Sequence, residues 1–525
     1  MSSNPSLPKL KIDTDSKISD ATLLASLGYR QELKREFTTL EMFGFGFSIV
    51  AIVPSIASVL FYSIPNGGPS AMVWGWATSS VFIVIIALAV AELGSAAPTS
   101  GGLYYWTYKY SSPRCRNILC WMVGYTNTIT YISGVAGLAW SSATAIMAGA
   151  SIGLDGNFIP TVYQTYGLYI AVLVVYATIA RCATRVLALI QRGVIALNLL
   201  LVLVMIIALP AATPSELRNS RIPCSIRASS LNFRAVTLWP SGYAFILSFL
   251  APLVSGFDSG VHISEEARNA NVAIPWAIVY TCGVGTTLGF FVQISLAFCM
   301  GTDTTDILSS PVQQPMATIL LNSFGKKGML AAWAFILIAL FLAGVGLLIS
   351  SSRQIFAFSR DGALVFSSLL YNINPTTGTP VRSVWFSAIC AALLGLTTFG
   401  GPAATGAIFS LGVVGQYVAN SIPIAARFLG GQPFKRGPFH LGALSRPIAF
   451  IAVLWMFFMT VVLMFPTAPD PTPQSMNYTV VVLGGVLLIA LGYYYFPRYG
   501  GAFWFRGPVS NLYGEVQVEE KGMEE

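Results

Sequence analysis

Residues 252–266 read Pro-Leu-Val-Ser-Gly-Phe-Asp-Ser-Gly-Val-His-Ile-Ser-Glu-Glu, which sets an ionisable group, Asp258, behind an uncharged apolar run from Tyr243 to Val254. A carboxylate at membrane depth is costly unless it faces protein or water, so it marks a functional site by default. Three chemistries are open to it. It can pair with a cationic amine, carry a coupling proton, or cap the inner half-helix that begins near Ser259. Ser255-Gly256 weakens the helix at the same point and frees backbone groups there. A broken helix beside a buried acid is the pattern of a transporter binding site.

A second interruption supports the first. The stretch Gly44-Phe45-Gly46-Phe47-Ser48-Ile49-Val50-Ala51-Ile52-Val53-Pro54-Ser55 is apolar and carries a proline in mid-span. Pro54 removes one backbone hydrogen bond and crowds the preceding turn, which predicts either an ordinary kink or a break. In lipid, such a break survives only where neighbours or a cavity re-satisfy the freed groups.

The elements that must position these residues are membrane helices. Of the 525 residues, 55% are hydrophobic and 10% charged, and the mean hydropathy is +0.69; soluble domains carry about 25% charged residues. Twelve apolar runs are long enough to span a bilayer: 42–63, 70–93, 118–149, 162–180, 186–210, 241–266 (interrupted), 275–300, 328–358, 383–400, 403–427, 446–466 and 478–497. The two breaks fall in spans one and six, the offset an inverted five-plus-five repeat requires. The repeats run over about 41–210 and 240–427, with two extra helices in 446–497.

The net charge of +8 follows topology. Lys and Arg concentrate in alternate loops and both tails, which places both termini in the cytoplasm and leaves no basic patch for a nucleic acid. The seven Cys and two His residues form no CxxC or His/Cys cluster, so no metal is expected. No motif calls for a cofactor, and no nucleophile–base constellation suggests an enzyme. Residues 1–40 form a polar cytoplasmic tail without a signal peptide; 23–40 has the spacing of a short surface helix. Residues 41–498 form the transporter domain, and 499–525 form a solvated cytoplasmic tail. Segment 301–327 is expected to fold as a short helical lid. The loop 215–236 is unusually rich in Arg.

Span two ends in Ala91-Glu92-Leu93-Gly94-Ser95-Ala96-Ala97-Pro98-Thr99-Ser100-Gly101-Gly102-Leu103-Tyr104-Tyr105-Trp106. With the Ser255–Glu266 segment, Gly68-Pro69, Trp74-Gly75-Trp76, Phe249-Leu250-Ala251-Pro252 and Ser352-Arg353-Gln354-Ile355-Phe356-Ala357-Phe358-Ser359-Arg360-Asp361-Gly362, this stretch resembles the amino acid–polyamine–organocation superfamily. More narrowly, it is similar to the fungal amino acid/choline transporter family, which includes γ-aminobutyrate and choline permeases. The resemblance runs from about Leu27 to Arg498.

The resemblance implies an all-α, leucine-transporter-type fold with broken helices one and six, and alternating access without ATP. It implies that N–H groups around Ser48, Ile49, Val50, Ala51 and Pro54 hold a substrate carboxylate. Carbonyls around Val254, Ser255, Gly256 and Phe257 would then hold the amine, as helix-end electrostatics favour. Phe257 could close over the substrate or stack on an ammonium group, or simply pack; Tyr125 and Tyr417 are further aromatic candidates. Glu92, Arg353 and Arg360 fall at predicted cytoplasmic helix ends, as a gating network with Asp258 or as interfacial anchors. Glu265 and Glu266 read as a solvated helix end, and His262 as a polar residue of the inner half-helix. Two departures stand out. Ala51 replaces a glycine usual in the family, and Val254-Ser255 stands where a tryptophan is common.

The expected activity is secondary active import of amino acids or related amines, γ-aminobutyrate-like, coupled to protons or Na+, at the plasma membrane. Choline or a polyamine is the alternative cargo. A nutrient sensor that signals without transporting is the alternative of another class, against which the short tails argue.

Overall fold

A computed structural model of the chain describes residues 20–512 except 183, 219–238, 251–255, 302–304, 309–313, 467–468 and 473–475. Among the described residues the fold is almost entirely helical, apart from one isolated bridge between Phe37 and Ala267. Among the described residues, ten helices are long and apolar enough to cross a membrane: Thr39–Phe61, Gly68–Ala96, Arg116–Gly153, Val162–Ala180, Ile190–Ala212, Ala270–Cys299, Pro315–Arg360, Val381–Gly400, Ala403–Leu429 and Gly442–Val462. The interrupted segment 241–266 and the shorter helix Thr479–Tyr494 occupy the places of spans six and twelve.

Local chemistry explains where these helices start. Thr38 and Glu41 form a reciprocal capping box at span one, as do Thr161 and Gln164 at span four, each satisfying two orphan groups. Pro69 and Pro402 stand in the first turn of spans two and ten, where a missing N–H costs nothing.

Span one breaks at Ala51 (φ 37°, ψ 71°) and not at the proline. Thr39–Val50 and Ile52–Ser63 are separate half-helices. Pro54 is the third residue of the second half, where its lost donor has no helical partner in any case. The carbonyl of Val50, freed by the break, accepts from Ser55 Oγ at 2.5 Å.

Span six is not helical at the described residues 256–258. Helix Ser241–Leu247 and the 3₁₀ turn Ser248–Leu250 come before these residues in the chain, and Ser259–His262 with Ser264–Glu266 follow them. Val254 and Ser255 lie outside the described residues, as does most of the Arg-rich loop. Before span eight, helix Pro315–Arg360 is interrupted at Gly325 (φ 68°), which leaves 315–324 as a separate short helix ahead of the span.

The tails depart from the sequence reading. Of the described residues ahead of span one, 20–26 are helical and 27–38 are not, and Leu24, Tyr29, Leu33 and Phe37 are buried against the bundle end and not laid on a surface. Asp20 accepts from the N–H groups of Asn269 (2.7 Å) and Ala270 (3.2 Å), capping span seven from a distant part of the chain. The described part of the C-terminal tail is also docked. Phe505 is buried, and the Asn511 N–H donates to the Gly28 carbonyl.

Candidate functional site

Gly256 adopts φ +99°, and a Cβ there would collide with Ile49. The absence of a side chain lets the two breaks abut. Span eight closes the same centre: a Cβ on Gly346 would meet Ile49 Cγ1 at 2.9 Å and Ser48 Oγ at 3.7 Å. Ser350 Oγ donates to the Ser259 carbonyl at 3.3 Å. Ser48, Ile49, Val50, Ala51, Gly256, Phe257 and Asp258 are all buried around this junction, whereas Pro54 lies beyond it on the outgoing half-helix.

Asp258 is completely buried. Tyr131 Oη donates to its Oδ1 at 3.1 Å, and Gln416 Nε2 donates to its Oδ2. Asn420 Nδ2 in turn donates to the Gln416 carbonyl at 3.1 Å. Asp258 holds the N-cap position of Ser259–His262, but its side chain makes no capping bond. Its oxygens point across to spans three and ten, so the capping role does not hold.

Below Asp258, His262 is fully buried. Its Nδ1 faces the Ser100 carbonyl at 2.9 Å, its Nε2 faces Asn127 Nδ2 at 3.2 Å, and its ring stands perpendicular to that of Tyr131. A carbonyl on one nitrogen and an amide NH₂ on the other correspond to a neutral imidazole protonated on Nδ1.

Glu265 and Glu266 are buried, contrary to the solvated helix end expected from sequence. Glu265 receives both Arg360 terminal nitrogens at 3.0 Å and the Ser100 N–H at 3.1 Å. Glu266 receives Arg353 Nε at 2.7 Å. Arg360 also lies 3.9 Å from the centre of the Tyr29 ring. Each acid thus gains a charge-assisted partner that offsets its burial. Arg353 and Arg360 are inside the protein and not at a lipid interface.

Glu92 belongs to a different cluster. It takes a two-pronged bond from Arg427 (2.6 and 2.9 Å), one from Ser445 Oγ (2.7 Å) and one from the Leu441 N–H (3.3 Å). It ties span two to the ends of spans ten and eleven rather than joining Arg353 and Arg360. Asp361 forms a third cluster, accepting from Tyr29, Tyr104 and the Val509 N–H.

Tyr125 is placed away from Asp258. Its hydroxyl donates to the Ala363 carbonyl at 2.9 Å, and its ring packs on Trp121 and Phe358. The span-three tyrosine at the carboxylate is Tyr131. In span ten the side chain that arrives is Gln416, while Tyr417 is a buried neighbour about 100° further round the helix.

Sequence reasoning passed over Tyr131, Asn127, Gln416 and Arg427. A signal existed for the first three. Asn127/Tyr131 and Gln416/Asn420 are polar pairs one helical turn apart inside apolar spans, the same spacing as Asp258/His262. No group of three or more potential metal ligands occurs among the described residues.

Comparison with known proteins gives this architecture a family. Residues 37–487 match the sequence profile of the amino acid permeases. A GABA-specific permease of Saccharomyces cerevisiae is 34% identical over 519 residues, covering 97% of this chain and 89% of the relative. An uncharacterized amino-acid permease of Schizosaccharomyces pombe is 36% identical over 499 residues, covering 94% and 89%. Amino-acid permease 2 of Neurospora crassa is 30% identical over 502 residues, covering 95% and 91%. Among solved structures, a mutant of the Eremococcus coleocola manganese transporter superposes with a TM-score of 0.50 at 12% identity, covering 86% of this chain and 93% of that one, a likeness of fold alone. The chain belongs to the amino acid permease family and is an integral-membrane transporter, not an enzyme.

Proposed function

We propose that this protein imports γ-aminobutyrate-like amino acids by alternating access, coupled to protons, with both termini in the cytoplasm of a plasma-membrane carrier. The observation that carries the reading is Asp258: fully buried at the span-six break, bonded by Tyr131 and Gln416, and paired with no Lys or Arg among the described residues. A buried carboxylate without a cation needs a proton or a positively charged ligand to neutralise it. A proton in one half of the cycle and a substrate ammonium group in the other would meet that need in turn.

The second subsite would be the start of half-helix Ile52–Ser63. The N–H groups of Ile52 and Val53 lack helical partners, and the helix dipole favours a carboxylate there. Two subsites on separate broken helices suit a zwitterion whose charges are well separated, and the GABA-specific relative supports that chain length. The spacing of the two breaks supports the inverted repeat.

Uptake of radiolabelled γ-aminobutyrate, competed with α-amino acids, choline and a polyamine at one acidic and one neutral external pH, tests this. γ-Aminobutyrate as the strongest competitor, with faster uptake in acid and loss on adding a protonophore, is expected. Stronger competition by choline or the polyamine, or indifference to pH and protonophore, would overturn it.

A further inference from the structure

Asp258 is followed along the inner half of span six, Ser259–His262 and then the 3₁₀ turn Ser264–Glu266, by His262, Glu265 and Glu266 in order. Each is met by a side chain from span three or eight: Tyr131, Asn127, Arg360 and Arg353 respectively. Asn127 is one turn from Tyr131 in span three, and their partners His262 and Asp258 are four residues apart, so the two rungs follow one another along span three. Three rungs carry charge. The His262–Asn127 rung is neutral, and it lies between the binding centre and the ion pairs.

His262 also reaches a third element. Its Nδ1 bonds the Ser100 carbonyl, and Ser100 gives its own N–H to Glu265. This turn, which follows span two, fits closely: Gly102 has φ +47°, and a Cβ on it would meet Val261 Cγ1 at 2.6 Å and His262 Cε1 at 3.4 Å. One imidazole therefore joins the inner half of span six to span three, to the turn at Ser100 and, by ring contact, to the tyrosine that holds Asp258.

We infer that His262 is a positioning residue that latches the cytoplasmic path shut: its bonds to Asn127 and Ser100 hold the inner half of span six against span three and set how often the carrier faces outward. The inference rests on the inward direction and orientation proposed above. Its rung must part when span six moves away from span three. Because the rung is neutral, it opens without exposing an unpaired charge, unlike the Glu265 and Glu266 rungs. The Asn127 Oδ1 is buried with no hydrogen-bond partner, so the side chain of Asn127 is held in this rung by its bond to His262.

The test uses His262→Phe, which keeps a ring against Tyr131 but removes both hydrogen bonds, with His262→Gln and Asn127→Ala. The reporter is Ser350→Cys, beside Ser259 and fully buried here, in a chain whose Cys115, Cys182 and Cys390 are replaced by serine. Inside-out vesicles are treated with a membrane-impermeant maleimide, a readout that needs no substrate and so separates this inference from the choice of cargo.

A latch predicts faster labelling in His262→Phe and Asn127→Ala, with partial return in His262→Gln. For γ-aminobutyrate uptake by carriers matched for membrane abundance, KM should rise about threefold or more, because fewer carriers face outward. A structural role alone would lower abundance and leave the labelling rate and KM of the surviving carriers unchanged. That result would overturn the inference, as would unchanged labelling in both variants that lack the Asn127 bond.

Discussion

Glu265 and Arg360 meet through two parallel hydrogen bonds of 3.0 Å, with side chains 0% and 1% exposed. The pair joins the end of span six to the end of span eight, directly beneath the residues that surround Asp258. Two buried ions gain little over an apolar pair, but stranding one of them is expensive. Separating the two inside the protein would therefore leave two unpaired buried ions.

Arg360→Ala should consequently destabilise the protein by about 3–5 kcal/mol through the uncompensated Glu265 carboxylate. Thermal unfolding of the purified carrier in detergent would show this loss. The double variant Arg360→Met/Glu265→Leu should recover much of it. A double variant no more stable than the single one would count against the explanation.

Ala51 holds a left-handed conformation at the break in span one, which costs a non-glycine residue roughly 1–2 kcal/mol. Ala51→Gly should raise the unfolding temperature slightly, since relief of strain exceeds the added freedom of the unfolded chain. Ala51→Val should lower it. Both effects are readable in the same unfolding assay.

Glu92 satisfies Arg427, Ser445 and the Leu441 N–H together. Glu92→Ala should leave a mostly buried guanidinium without its carboxylate and loosen the link between spans ten and eleven. Proteolysis in the 430–445 connection should accelerate severalfold in the variant while cleavage elsewhere is unchanged.

Burial pushes the Asp361 carboxyl up to about 6, against the opposing pull of Arg360 and the tyrosine hydroxyls. The folded state thus holds this proton at pH values where the unfolded chain has released it. Its contribution to stability is greatest in acid and declines as pH rises from about 4 through about 6. Asp361→Asn should remove that decline, so the difference in unfolding temperature between variant and wild type should change across this interval and level off above it.

The spans and the Asp258 break are legible in sequence because hydrophobic length and a charge inside it are local signals. The partners of that charge are not local. Tyr131, Gln416 and Arg360 come from 127, 158 and 95 residues away from the acids they meet. Glu265 and Glu266 read as a wet helix end because nothing nearby in sequence announces the arginines that cover them.

Pro54 is the local signal for the break in span one, whereas Ala51 enters only through the family resemblance, as a residue of the broken stretch. Proline is a strong local disruptor, yet it is tolerated in the first turn of a helix, and the break lies three residues earlier. The buried N-terminal segment was hidden similarly. Asp20, Tyr29 and Phe37 gain their meaning only from span seven, Asp361 and Ala267.

The central claim is that Asp258 alternates between a proton and the substrate amine. The most direct measurement is γ-aminobutyrate uptake by Asp258→Asn at matched membrane abundance, over acidic to neutral external pH. The account predicts loss of concentrative uptake and of its pH dependence. Uptake with wild-type rate and pH profile would contradict it.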